Sequence, residues 1–163
     1  MIFDLAKHVL EIIRSRFAEY EVELPSRQFV QIGGRGSTVH EGEQLSISME
    51  QVYSGLPGAQ AQEPTRCSEP MTVVFGVELV RCVPTPSNGG RSTKPMPVSV
   101  EKIEETAEQQ SKDAQILLEA GLIAAESTWL QGGMADVTAG TPEGGMQALV
   151  MTVVLVLGDD FAV

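Results

Sequence analysis

Protein chemistry needs a nucleophile beside a base, paired carboxylates in a shared setting, or metal ligands at workable spacing. The histidines of this 163-residue chain are His8 and His40, and its cysteines are Cys67 and Cys82. His8 falls beside the apolar stripe of an N-terminal helical pattern, where a boundary histidine is a simpler reading than a catalytic base. His40 sits in a glycine-rich turn next to Glu41, with no Cys, Asp or second His at ligand distance, so neither histidine makes a metal site. Cys67 and Cys82 lack Cys-x-x-Cys spacing, which argues against redox catalysis. They read as two reduced thiols, one in a loop and one packed in a sheet. Gly33-Gly34-Arg35-Gly36 lacks the Gly-Lys-Ser/Thr of a phosphate loop and opens no helix, so it reads as a turn. No catalytic residue, metal ligand or cofactor is expected.

The elements around these residues follow from hydrophobic period. Ile2, Leu5, Val9, Ile12, Ile13, Phe17 and Tyr20 recur at helical spacing and predict an amphipathic helix over 2–20. It ends before Pro25, because the residue ahead of a proline is pushed out of the α region. Arg27–Ile32 reads as a short strand near an edge. The segment 44–53 alternates Leu45, Ile47 and Met49 against Ser46, Ser48 and Glu50, the pattern of a strand with one buried face. The stretch 54–70 is proline- and glycine-rich and reads as a loop. Next, 71–83 reads as a central strand, with Met71, Val73, Phe75, Val77 and Leu79 on one face and Val74, Val80 and Cys82 adding apolar patches to the other. A second long loop covers 84–97.

Ser99 is placed to N-cap a long helix whose first turns carry Glu101, Glu104 and Glu105. Its expected buried stripe is Ile103, Ala107, Ala114, Leu117, Leu118, Gly121, Leu122 and Ala125, running to about Trp129 and stopped by Gln131-Gly132-Gly133. A glycine-rich link then leads to Met146–Leu157, apolar on both faces and read as a second central strand. Without regular crossover helices between strands, this order implies an α+β fold in one domain, 1–163. The expected sheet is mainly antiparallel with two helices packed on one face and long Gly/Pro-rich loops.

Composition narrows the function classes. Lys and Arg number 11 against 22 Asp and Glu, for a net charge of −11. Such a chain is repelled by DNA over most of its surface. After Lys112 there are seven acids (Asp113, Glu119, Glu126, Asp136, Glu143, Asp159, Asp160) and no Lys or Arg. The simpler reading of that bias is a solvated acidic face. The N-terminus lacks an export pattern, and the longest apolar stretch, 149–157, is far short of the roughly 20 residues that span a bilayer. A cytoplasmic protein without membrane contact is expected. A small core with long loops and no catalytic constellation suits contact with other subunits.

Gln51-Val-Tyr-Ser-Gly, Glu78-Leu-Val-Arg-Cys-Val-Pro84, Trp129 and Thr141-Pro-Glu-Gly-Gly-Met146 with the following Thr-Val-Val-Leu-Val-Leu resemble the small neck proteins of long-tailed bacteriophages of actinobacteria. The likeness is nearest to their tail terminators, or tail-completion proteins. It implies a curved sheet flanked by helices and a structural virion protein at the head-tail junction, made in the host cytoplasm. It also implies a homo-oligomeric ring of six subunits on the last ring of the tail tube, ending tube polymerisation and facing a head-side connector. The implied partners are other copies of the chain, the tail-tube protein and the connector or stopper. The contact loops expected on this reading are 33–42, 56–70, 84–97 and 132–144, with Arg35, Leu56, Arg66, Arg91, Lys94 and Met134 as contact residues. DNA would pass through the lumen without specific binding. The base-free stretch suggests a repelling channel wall that includes Glu119, Glu126, Asp136 and Glu143. Competing readings are a head-completion stopper or connector and, in a different class, a small cytoplasmic enzyme or ligand-binding domain.

Overall fold

The computed structural model describes residues 2–33, 42–57, 70–88, 95–126 and 130–158, and only the backbone of 87, 88, 95, 130 and 131. Helix α1, Ile2–Glu19, buries Leu5, Ala6, Val9, Leu10, Ile13 and Phe17. Its end is set by backbone geometry, without a glycine: Val22 N donates to Phe17 O and Glu21 N to Ala18 O. Glu21 takes the left-handed conformation at φ 53°. This is a Schellman closure with a glutamate where glycine is usual, and it turns the chain toward Pro25 and strand β1, Arg27–Ile32.

The remaining strands are β2, Gln44–Ser54; β3, Met71–Cys82; β4, Ser87–Asn88; β5, Pro95–Met96; β6, Leu130–Ala139; and β7, Met146–Leu157. Helix α2, Val100–Ala125, precedes β6. The main sheet has the order β1-β2-β3-β7-β6, and β4 and β5 form a separate two-stranded pair. All neighbours in the main sheet are antiparallel except β1 and β2, which run parallel. The fold is therefore α+β with a mainly antiparallel open sheet. β3 and β7 are its central strands, as their two-sided hydrophobicity requires.

One face of the sheet holds the core. Leu45, Ile47, Val73, Phe75, Val77, Leu79, Leu149, Met151, Val153, Leu155 and Leu157 pack in a single cluster with the inner faces of both helices. Helix α1 lies over β1 and β2, helix α2 over β7 and β6, and the two helices pack against each other. The contact between α2 and the sheet is close. A Cβ on Gly121 would stand 2.7 Å from Ala135 Cβ, and one on Gly133 would stand 2.6 Å from Val154 O and 2.8 Å from Ala125 Cβ.

Three expectations are corrected. The segment 130–139, expected as the end of a helix and a glycine-rich link, is an edge strand; α2 stops at Ala125, and Glu126 caps it. The buried stripe of α2 is Asp113, Ile116, Leu117, Ala120, Gly121, Ala124 and Ala125. Ile103, Leu118 and Leu122, expected inside, are exposed, as is Ala107. Cys82, expected in the sheet interior, is exposed at the strand end, with its sulfur 3.5 Å from Met146 Sδ.

Because Gly133 faces a backbone carbonyl, a side chain there has no flexible neighbour to displace. Gly133→Val is expected to destabilise the protein by about 1–3 kcal/mol, the usual cost of overpacking. Thermal unfolding followed by circular dichroism checks this, and an unchanged midpoint would show that α2 and β6 are not in close contact.

Candidate functional site

The most elaborate polar arrangement lies where β3 ends. Asp113, in the middle of α2, is completely buried. Arg81 Nε donates to Asp113 Oδ2 at 3.0 Å, Gln109 Nε2 donates to Oδ1 at 2.9 Å, and Arg81 Nη2 reaches the same oxygen at 3.4 Å. Arg81 Nη2 also donates to the carbonyl of Glu23 at 2.8 Å, tying the α1–β1 connection to the sheet. Glu43 ion-pairs with Arg81 Nη1 at 3.6 Å and accepts from the backbone N–H of Cys82 at 3.1 Å. A buried charge is tolerated only when it is paired and hydrogen-bonded in this way.

Beside the network opens a cleft of about 410 Å³ lined by Glu21, Glu23, Glu43, Arg81, Cys82, Glu105, Gln109 and Lys112, among others. Four glutamates line it against Arg81 and Lys112, and Arg81 is already engaged. Among the described residues no histidine lines it. Among the described residues, no group of three or more His, Cys, Asp or Glu could hold a metal ion, and no helix is long and apolar enough to cross a membrane. His8 is exposed on α1.

A second cluster joins the helices. Arg16 ion-pairs with Glu119 of α2 and with Glu19, and Tyr20 Oη donates to the Glu119 carboxylate at 2.9 Å. Gln115 Nε2 adds a bond to Glu119 at 3.0 Å. The Arg16 guanidinium, then Gln115 and Tyr20, hold the Glu119 carboxyl below the ordinary carboxylate range, and bonding to Glu119 pushes the Tyr20 hydroxyl up.

No protein-family model matches the chain, and no curated protein sequence matches it.

The sequence-expected contact residues divide as follows. Leu56 and Met134 are both 56% exposed, the first just beyond β2 and the second on β6. Arg35, Arg66, Arg91 and Lys94 lie outside the described residues, as do His40 and Cys67. Of the four suggested channel acids, Glu126, Asp136 and Glu143 are exposed, whereas Glu119 is held in the helix seam by Arg16 and Tyr20. Ala135 and Val137 of β6 pack on the helix-side core, so Asp136 between them points from the opposite face. The four therefore do not share one wall, and Glu119 leaves the set.

The strand registers distribute the loops. Ser54, Met71, Leu157 and Leu130 lie level with one another, so Gly55, Leu56, Pro70 and the end of α2 occupy one end of the sheet. Gln44, Val80, Ala148 and Gly140 mark the other end. There Val83 N donates to Gly145 O at 2.8 Å, bringing the start of 84–97 beside the β6–β7 turn. Gln110 of α2 bonds Gln147, which donates to Gly140 O at 2.9 Å.

Two outcomes follow. Asp113→Ala leaves the partly buried Arg81 with only Glu43 and the Glu23 carbonyl as partners and is expected to cost about 1–3 kcal/mol, read from urea unfolding; no measurable loss would show that the pair is not fixed in solution. The depressed Glu119 value means that its ionised form stabilises the fold above the ordinary carboxylate value of 4.5 and that this contribution is lost as pH falls through the lower folded value. Glu119→Gln should therefore flatten the acid limb of a stability–pH curve relative to wild type, and parallel acid limbs would contradict the bonding described.

Proposed function

We propose that this chain is a ring-forming structural protein of a phage neck, a tail terminator that caps the tail tube and meets the head-side connector. The observation that carries the reading is the placement of surfaces for contact: among the described residues, a sheet with two unpaired lateral edges whose strand connections leave from both ends. A subunit of a closed ring needs two different lateral patches for its neighbours. A subunit between tube and connector needs a separate axial surface for each. The resemblance at Gln51–Gly55, Glu78–Pro84 and Thr141–Met146 supplies the identity of those partners.

The mechanism is competition of surfaces and makes or breaks no bond. Loops at one end occupy the growing end of the tube and present the next tube subunit with a non-matching face, while the other end offers the connector a new docking ring. The exposed acids Glu126 and Glu143 are candidates for surface near the lumen, where carboxylates repel phosphate and leave DNA free to slide. The protein on this reading resides in the virion after synthesis in the host cytoplasm.

Polymerisation of the cognate tail-tube protein is the direct test. Adding this chain should arrest elongation and place extra density at one tube end in negative-stain images. Association with isolated connector rings but not with tubes would favour a head-completion stopper. Unchanged tube growth with no end density would sink the proposal.

A further inference from the structure

We propose that the outer edge of β6, with Leu118 and Leu122 standing above it, receives the outer edge of β1 from a second copy of this chain, so that the two sheets run on into one. This rests on the ring reading and names the lateral surfaces that build the ring.

Backbone geometry identifies both edges. Gly140 N donates to Ala148 O, and antiparallel pairing alternates. The even residues of β6 therefore bond β7, while Gly133, Ala135, Val137 and Ala139 turn their N–H and C=O groups outward. Gly33 N donates to Met49 O, so on β1 the outward set is Gln28, Val30 and Ile32. Among the described residues no strand pairs with either outer edge. Natural edge strands are usually blunted with Lys, Pro or extreme shortness. β6 has ten residues and neither Lys nor Pro.

The flanks point to the same occupant. Above β6, Leu118 is 38% and Leu122 46% exposed, and on its other face Met134 is 56% exposed. Ile32 on the β1 edge is 74% exposed. Both edges thus pair open backbone with apolar side chains that a neighbour would cover.

Charge then selects head-to-tail pairing. Arg27 is exposed, its guanidinium 5.4 Å above the ring of Phe29, and Arg14 bonds Gln28 from the helix side at 2.7 Å. β6 carries one charge, Asp136, within a stretch that has no Lys or Arg after Lys112. Arg27 and Asp136 both project from the sheet face opposite the helices, so in a continued sheet they lie on one side. A symmetric β6–β6 pair centred on the outward set 133–139 would set two Asp136 carboxylates opposite each other, and like charges across strands destabilise. A symmetric β1–β1 pair centred on Val30 would leave Arg27 opposite Gly33, with no carboxylate to meet. The β1–β6 contact avoids the first and offers Arg27 a carboxylate. It is heterologous, the kind that closes into rings.

The test is a charge exchange measured by mass photometry, alone and with tube fragments, with melting curves confirming that each variant folds. Arg27→Glu and Asp136→Arg each should lower the assembled fraction several-fold, and the double variant should recover most of it. Singles that assemble like wild type, or a double no better than the singles, would overturn the edge pairing while leaving the ring reading intact. Variants that keep their rings but lose tube-end binding would also overturn it, by assigning these edges to a tube subunit. Failure of wild-type chain to self-associate in either condition would overturn both readings together.

Discussion

The buried carboxylate of Asp113 governs the arrangement of this molecule. An isolated charge in an apolar interior is unaffordable in free-energy terms, so the helix that carries it must meet a cation. Arg81, at the end of the central strand β3, is that cation. The pair fixes the rotation of α2 about its axis, places the helix across β7 and β6, and through the Glu23 carbonyl anchors the turn that leads α1 into β1. Turning Asp113 inward brings Ile116, Leu117, Ala120 and Ala124 inward with it. The same rotation carries Leu118 and Leu122 out of the core and over the β6 edge.

That constraint also explains what could be read from the sequence and what could not. Helix α1 and strands β1, β2, β3 and β7 announce themselves through strong period and β-branched content, and their observed limits fall within a residue or two of expectation. The stripe of α2 departs from expectation because hydrophobicity alone counts Ile103, Leu118 and Leu122 as interior and Asp113 as surface. Only a partner distant in sequence reverses that assignment. Strand β6 is illegible for a related reason. Gly132, Gly133, Ala135 and Asp136 have little intrinsic preference for extended structure, and the strand forms because β7 offers a ladder and α2 a surface cut back at Gly121. The parallel pairing of β1 with β2 is likewise tertiary, since a short strand after a loop carries no local signal of direction.

The candidate surfaces show the same division. Leu56 and Met134 stand exposed, and Met134 belongs to a strand where a link was expected. The acidic excess noted in composition separates into parts with different roles. Asp113 and Glu119 join elements of one subunit, and Glu126, Asp136 and Glu143 remain at the surface. Acidity in this chain is thus partly structural, and the portion left for a channel wall or a neighbouring subunit is smaller than the net charge suggests.

Lateral edges with opposite charge and a core locked by one buried ion pair suit the assembly role proposed for this chain. The proposed closed ring is most directly tested by mass photometry of the purified chain with and without short tail-tube fragments. A ring is expected as a discrete species at a whole multiple of the 17.5 kDa subunit mass, six on the family resemblance, enriched when tube ends are supplied. A single 17.5 kDa species under both conditions, at concentrations matching tube assembly, would contradict it.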